Sequence, residues 1–522
     1  MAESGIPADA AAAPAAVPSP RRRGPQGSRL RIAAPDRLLV DDPVGTVIRG
    51  CVPGQTVTVT ASCWIDGFVH EATANFIPGE DGSVDTARDA STAGSYTGTD
   101  PFGLWWSGTP ARPAAHPASP PEPIACRLTA EAAGMAATAE FQRHWLTAGA
   151  SITEVDQPGV TGVFARPAGP GPFPGVVSFG GSGGGLGPAA AWAPMLASRG
   201  IATLAIAYFG APGLPPTLAG IEVEVVERAA RWLLSRADIT PGTVAAMGMS
   251  RGSELALWAG VLLDVIGAVV AFAPSGISWP GLNADGPAAA PAWTFRGRPL
   301  PHATVGDAAE TALAPSSGPP VALRAIFEPT LANAALFEHA VIPVEEIRGP
   351  VMFVSGEADT MWPATQMTQI AEQRARDRGF RYPLVHLRYR DGGHVCAGVP
   401  GTPVATEVKH HPLTGGRYSF GGTRAGNAAA RADSWPRVVA FLRDGAPGKR
   451  TAPPESERGQ PMPLTAPTAL PQLPRPTVAE LTRQISARRS KAIRESQNRT
   501  SYSAKSAWKS ATRGSWATSA WR

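Results

Sequence analysis

Between Arg29 and Trp106, apolar and polar positions alternate in short runs (RLLV, GTVIRGCV and QTVTVTASCWI) cut by Pro-Gly and Asp-Gly pairs. A period of two sends successive side chains to opposite faces, so this region is expected to be a small antiparallel β-sandwich. Residues 108–125, GTPARPAAHPASPPEPIA, are Pro-rich and read as an extended connector or loop. After Ile124 the pattern changes to short apolar strands alternating with helical segments, as a mostly parallel sheet with crossover helices requires. GVVSF (175–179), IATLAIAYF (201–209) and VAAMGM (244–249) read as strands. The runs 267–275 and 350–359 are continuously apolar, typical of strands covered on both faces, and 384–394 closes the series. Helices are predicted over 189–200, 218–239 and 253–263. Residues 276–345, rich in Pro, Gly and Ala, interrupt the alternation as a cap over the carboxyl edge of the sheet.

Composition narrows the function classes. The chain has 522 residues and 43% are hydrophobic, enough for two or three domains and a buried catalytic core. No run of about 18 uncharged apolar residues occurs, so no membrane-spanning helix is expected and the protein reads as soluble. The formal charge of +5 suggests nucleic acid until it is resolved by region. Residues 446–522 carry 14 Lys/Arg against 4 Glu, and everything before them nets −5. The folded part is therefore mildly acidic. The tail mixes Ser, Thr and Ala with cations and Trp508, Trp516 and Trp521, and it has no sustained apolar face. It reads as disordered; stacking of bases on those tryptophans is the functional alternative, and nucleic acid is not expected as a partner. At the other end, 1–28 reads as a disordered leader, because its arginines follow the Ala/Pro run, reversing the order of a secretory signal. Cys51, Cys63, Cys126 and Cys396 show neither CxxC nor zinc-ligand spacing. Neither a disulfide framework nor a metal site is expected, and a cytoplasmic location fits.

The candidate chemistry is nucleophilic. A hydrolytic serine needs a sharp strand-to-helix turn that exposes Oγ, with small residues two before and two after it. GMSRG (248–252) fits, and so does GGSGG (180–184). Context separates them: Ser250 follows a strand and opens a helix, whereas Ser182 lies in a Gly run with Pro188 close behind. Ser250 is the candidate nucleophile. The Gly run then becomes a source of backbone N–H groups for an oxyanion hole, formed by Arg251 N–H with that of Ser182 or Gly183. In this reading the Ser182 side chain is unused. For this architecture the order is Ser, acid, His, and Asp359 and His394 each follow a predicted strand. Glu357 and Asp391 are the rival acids. His386 and the His410/His411 pair are the rival bases, the first read as a packed or surface residue and the pair as loop. Cys396 reads as a packing thiol.

With these residues in place the chain resembles the acyl-CoA thioesterases and bile acid-CoA:amino acid N-acyltransferases. The resemblance is carried by SYTGTDPFGLWWS (95–107), GPFPGVVSFGGSGGGL (171–186), ASRGIATLAIAYF (197–209), GMSRGSELAL (248–257), IPVEEIRGPVMFVSGEADTMWP (342–363), GGHVCAGVP (392–400) and YSFGGTRAGNAAARADSWPRVVAFL (418–442). It implies a two-domain fold: an immunoglobulin-like antiparallel β-sandwich at 29–145 and an α/β-hydrolase domain at 146–445. It also implies hydrolysis of an acyl-CoA thioester, with the family's catalytic Ser, Asp and His falling on Ser250, Asp359 and His394. The N-acyltransferase branch carries Cys at the nucleophile position, so Ser250 favours hydrolysis. A carboxylesterase on the same scaffold and amino-acid N-acyl transfer are the alternatives. The stretch 108–125, the 276–330 region and both tails are set apart from the family pattern. No bound cofactor or metal is implied. The substrate is a small-molecule acyl-CoA or ester, with Arg166, Arg251 or Arg324 as candidate contacts for the CoA phosphates.

Overall fold

A computed structural model describes residues 29–35, 37–114, 120–305 and 318–444; the expected leader and basic tail lie outside these described residues. In the N-terminal part the alternating runs are strands. Val57–Ile65 turns through Asp66 and Gly67, both at positive φ (52° and 77°), into Phe68–Phe76. A two-residue turn of this kind matches the right-handed twist of a hairpin. Seven strands form one sheet in the order Arg37–Leu39, Met135–His144, Ile124–Ala132, Val57–Ile65, Phe68–Phe76 and Ala93–Gly94, with Thr109–Pro113 also paired to Phe68–Phe76. Arg31–Ala33, Val47–Arg49 and Ser83–Asp85 form a second sheet. All pairings are antiparallel except that of Arg37–Leu39 with Met135–His144. Ile48 and Val84 from the small sheet share one core with Val59, Phe76, Leu128 and Ala130 from the large one.

The change of pattern at Ile124 comes too early. Ile124–Ala132 points its residues 124, 126, 128, 130 and 132 inward and belongs to this sheet. Thr109–Pro113, at the start of the Pro-rich stretch, is an edge strand exposed throughout, where a proline costs no ladder bond. Residues 115–119 lie outside the described ones. Cys63 and Cys126, distant in sequence, are direct cross-strand partners, and both thiols are free and buried.

The C-terminal part is built on an eight-stranded sheet: β1 (Ser151–Gln157), β2 (Val160–Arg166), β3 (Gly175–Phe179), β4 (Ala202–Ala207), β5 (Val244–Met249), β6 (Ile266–Phe272), β7 (Val351–Gly356) and β8 (Leu384–Tyr389). Their spatial order is β1-β2-β4-β3-β5-β6-β7-β8, antiparallel at the first two contacts of β2 and parallel from β4 onward. The helices are α1 (Ala189–Ser198), α2 (Glu224–Leu234), α3 (Arg251–Leu262), α4 (Arg324–Leu331), α5 (Ala364–Asp377) and α6 (Arg424–Asp444). Val176, Met247 and Val270 pack with α1 and α6 on one face, while Val177, Ala246 and Val269 pack with α2, α3 and α5 on the other. Burial on both faces is why these strands read as unbroken apolar runs.

The predicted helix over 218–239 begins only at Glu224. Gly220 sits at φ 66°, and the preceding segment is drawn into tertiary pairing: Leu218 exchanges hydrogen bonds with Leu282, and Ile221 N–H donates to Ala292. The hairpin Pro280–Asn283/Gly286–Pro291 and α4 fill the expected cap region; residues 306–317 lie outside the described ones. The helices α5 and α6 had no counterpart in the sequence reading. Buried polar ties join the two parts. Arg143 donates to Gly401 O and Val40 O while stacking on Trp105, and Arg199 pairs with Asp41 and Asp42.

Candidate active site

Ser250 stands between β5 and α3 with φ 55° and ψ −124°, a conformation that L-residues adopt only under constraint. The constraint is steric. A Cβ on Gly248 would lie 2.1 Å from Gly252 O, and one on Gly252 would lie 2.1 Å from Gly180 O. Only glycine lets the strand, the turn and the loop after β3 pass this close, and the turn is pinned by Ser250 N–H to Phe272 O at 2.9 Å. The serine is 8% exposed.

Asp359 lies in the turn after β7 and is fully buried; His394 follows β8. His394 Nδ1 is 2.8 Å from Asp359 Oδ2, and the other carboxylate oxygen accepts N–H groups from Met361 at 2.8 Å and Trp362 at 3.3 Å. Two backbone N–H groups on Oδ1 orient the carboxylate so that Oδ2 faces Nδ1, the geometry in which an Nδ1–H donates and Nε2 is turned the other way. The ring is clamped between Phe420, stacked at 6.0 Å, and Trp362, edge-on at 5.9 Å. The rival acids Glu357 and Asp391 are exposed on the surface. His386 is packed: it bonds Ser355 and Glu372 away from the cavity.

Ser250, His394, Arg251 and Ser182 line one cavity, walled mainly by Trp279, Leu282, Leu323, Ile326, Phe327, Met361 and Trp362. Those walls come from the cap region and the turn after β7. The loop after β3 passes directly beside Ser250: a Cβ on Gly181 would be 3.0 Å from Ser250 Cβ. Tyr208 Oη donates to the carbonyls of Gly180 and Gly181, holding the loop at this point. Among the described residues the N–H groups of Ser182 and Gly183 make no backbone hydrogen bond, and Arg251 N–H is the first orphan donor of α3.

The Arg251 side chain departs from its proposed contact with phosphate. It is buried, donates to Trp279 O and Pro280 O at 2.9 Å, and lies 3.2 Å from Glu254. Arg166 is held by Asp238, and Arg324 by Glu328 and the Asp359 carbonyl. All three guanidinium groups are committed to protein partners. Burial pushes Glu254 up to about 7 despite Arg251 and N–H donation from Trp279 and Trp293. Burial also pushes the Cys396 thiol up to about 12, as befits a packing residue.

The sequence reading held His411, with His410, as a rival base in a loop and did not foresee its contact with Ser182. The histidine is 7% exposed, lines the same cavity and lies 3.0 Å from Ser182 Oγ. Nothing local marks it, since the contact joins two loops 229 residues apart.

Residues 41–157 match the family model described as "Acyl-CoA thioester hydrolase/BAAT N-terminal region", and residues 221–446 match "BAAT / Acyl-CoA thioester hydrolase C terminal". These ranges run through the 108–125 and 276–330 segments that the sequence reading set apart. Among curated proteins, human acyl-coenzyme A thioesterase 1 is 28% identical over 417 residues, 78% of this chain and 94% of that protein. Human mitochondrial acyl-coenzyme A thioesterase 2 is 28% identical, over 78% of this chain and 82% of its own. Mouse acyl-coenzyme A amino acid N-acyltransferase 2 is also 28% identical, over 79% and 96%. The eight-stranded sheet with its reversed β3/β4 order, the matched ranges and these relatives together place the chain in the acyl-CoA thioester hydrolase/bile acid-CoA:amino acid N-acyltransferase family of α/β-hydrolases.

Proposed function

We propose that this protein hydrolyses acyl-CoA to the free acid and CoA through an acyl-enzyme on Ser250. The observation that carries the reading is the shared apolar cavity into which both Ser250 and the Asp359-oriented His394 open. The acyl chain lies along the Trp279, Phe327 and Trp362 walls. His394 Nε2 takes the Ser250 proton as Oγ attacks the thioester carbonyl. The developing oxyanion is held by the N–H groups of Arg251 and of Ser182 or Gly183. Collapse breaks the C–S bond, and the imidazolium returns its proton to the departing thiolate. Water, deprotonated by His394, then attacks the ester and releases the acid. No resident cofactor enters the scheme.

The same proposal assigns the β region 29–145 as an immunoglobulin-like sandwich and 146–445 as the catalytic domain. Four free thiols suit a reducing compartment, so a cytoplasmic site of action belongs to it. A relative that bears an amino-acid N-acyltransferase name keeps transfer as the competing outcome. Purified protein is given a series of acyl-CoA chain lengths, then aryl esters, then acyl-CoA with glycine or taurine, with free CoA and products measured. Free acid and CoA in equal amounts, unchanged by the amine, is the expected result. Ester cleavage without CoA release at any chain length overturns the thioesterase assignment, and amide formation replaces hydrolysis with transfer.

A further inference from the structure

Ser182 carries a side chain that the scheme above leaves idle, and His411 fixes its orientation. The 411–416 loop is tightly tied: His411 N–H donates to Gly416 O, Gly415 N–H donates to His411 O, and the ring stands edge-on to Tyr418 at 5.6 Å. Pro412 of this loop approaches Gly183, where a Cβ would meet it at 3.4 Å. Thr414 N–H points at His411 Nδ1 from 3.3 Å. An amide hydrogen on Nδ1 occupies that nitrogen's lone pair, so the imidazole proton sits on Nε2. Nε2–H therefore donates to Ser182 Oγ, 3.0 Å away. Burial, with His394 and His410 nearby, pushes His411 down to about 4, which keeps it neutral and in this tautomer.

Two consequences follow. His411 has no lone pair to offer, so it is not a second base. Ser182 Oγ accepts from His411, and its own proton is left to donate; among the described residues the hydroxyl makes no other hydrogen bond. Ser182 lines the cavity that holds Ser250, one residue beyond the glycine whose Cβ would lie 3.6 Å from Ser250 Oγ.

We propose that the Ser182 hydroxyl is a third donor to the thioester oxyanion, with His411 as the positioning residue that turns its proton toward the cavity. The proposal rests on the thioesterase reading and deepens it. No bond is made or broken at Ser182: the hydroxyl strengthens one hydrogen bond as charge develops on the carbonyl oxygen. A free serine rotor spreads its proton over three staggered positions, and accepting from His411 takes away the one that faces the imidazole before the substrate arrives.

The test uses wild type, Ser182→Ala, Ser182→Thr, His411→Phe and the Ser182→Ala/His411→Phe double variant, all checked for an unchanged melting temperature. The readouts are kcat and KM on one acyl-CoA, and affinity for two probes. A trifluoromethyl ketone analogue of acyl-CoA forms an oxyanion on the nucleophile, while a non-hydrolysable acyl-CoA thioether does not. Loss of one oxyanion donor predicts a fall of about 10²-fold in kcat for Ser182→Ala with KM little changed. The ketone should weaken by a similar factor, and the thioether should not. His411→Phe should reproduce the loss, the double variant should be no worse than Ser182→Ala, and Ser182→Thr should recover most of the rate. Turnover of Ser182→Ala at the wild-type rate overturns the proposal, and so does equal weakening of both probes, which would make Ser182 a wall of the pocket. If His411→Phe does not fold, Ser182→Ala decides alone. A wild type that releases no CoA removes the thioesterase reading and this proposal together; an active wild type with an unaffected Ser182→Ala removes this proposal only.

Discussion

Two serine–histidine–carboxylate arrays occupy neighbouring parts of the same sheet; Ser250 and His394 line the apolar cavity, and Ser355, His386 and Glu372 do not. In the second, Ser355 Oγ lies 2.7 Å from His386 Nε2, and His386 Nδ1 lies 3.0 Å from Glu372 Oε2. By hydrogen bonds alone it is a finished triad. Yet Ser355 is fully buried inside β7 in ordinary strand geometry, and its oxygen is also 2.7 Å from Thr365 Oγ1. Ser250 sits at φ 55° on a turn cleared by two glycines, beside unpaired amides and an apolar cavity. The difference teaches that side-chain identity and a relay of hydrogen bonds do not make a nucleophile. Access, a strained turn and donors aimed at the departing charge do.

The sharpest break between the arrays is at the serines. Ser250→Ala should lower acyl-CoA turnover by about 10⁶-fold, the loss that follows removal of a triad nucleophile, while Ser355→Ala should leave turnover intact. Acyl-CoA binding by Ser250→Ala, followed by calorimetry, should persist. A Ser250→Ala protein with wild-type turnover, once contaminating hydrolase is excluded, would sink the assignment.

The carboxylates come next. Asp359→Asn keeps the shape but puts an amide against Nδ1, forcing His394 into the wrong tautomer, and a fall of about 10⁴-fold in kcat is expected. Glu372→Gln makes the same chemical change in the buried array and should not alter kcat. Matched steady-state assays on the two variants decide it; equal losses would mean that the His386 array supports the catalytic one.

What was legible in the sequence divides along the same line. Ser250, Asp359 and His394 each follow a strand whose apolar run marks its end, so the topology brings them to one edge and the sequence order names them. The hydrophobic runs likewise gave the parallel strands, because burial on both faces leaves an unambiguous signature. Helix boundaries were less legible where tertiary pairing competes. Residues 218–223 have helical periodicity but spend their backbone bonds on the cap hairpin. The change of pattern was set at Ile124, ahead of the strands 124–132 and 135–144, although their alternation was present and the family resemblance kept them within the 29–145 sandwich. Ser182 with His411, Cys63 with Cys126 and Ser355 with His386 were invisible because each pair meets only after the chain folds, and no local spacing encodes a contact between distant loops or strands.

A third buried carboxylate extends the comparison. Glu254, in the helix that begins beside the nucleophile, faces Arg251 rather than a histidine, and burial raises it to about 7. The folded state therefore binds a proton that the unfolded chain, with an ordinary value near 4.5, has already released. The stability this contributes is full below about pH 4.5 and is lost as pH rises through about 7. Glu254→Gln should flatten that slope in denaturant melts between pH 4.5 and 7, by an amount on the order of 3 kcal/mol across the window. An unchanged slope would mean that the ion pair with Arg251 keeps Glu254 charged throughout.

The smallest effect expected is the one that tests the buried array as architecture. Ser355, Thr365 and His386 join β7, the start of α5 and β8, while Glu372 reaches back from α5 to the same imidazole. His386 Nε2 finds its hydrogen-bond partner in Ser355, and water cannot replace a missing partner at a fully buried serine. Removing the Ser355 hydroxyl strands the His386 nitrogen, while Thr365 Oγ1 keeps its bond to Gly356 O at 3.3 Å. The cost of leaving a buried polar group unpaired is about 1–3 kcal/mol, so Ser355→Ala should lower unfolding free energy by that amount at neutral pH. Replacing the whole relay with apolar groups (Ser355→Ala, His386→Phe, Glu372→Leu) should cost less than the sum of the single changes, because no orphaned partner remains. Urea melts of the four proteins measure the difference. Full additivity would show three independent packing sites, and a fall in kcat accompanying any of them would tie this array to the one that opens on the cavity.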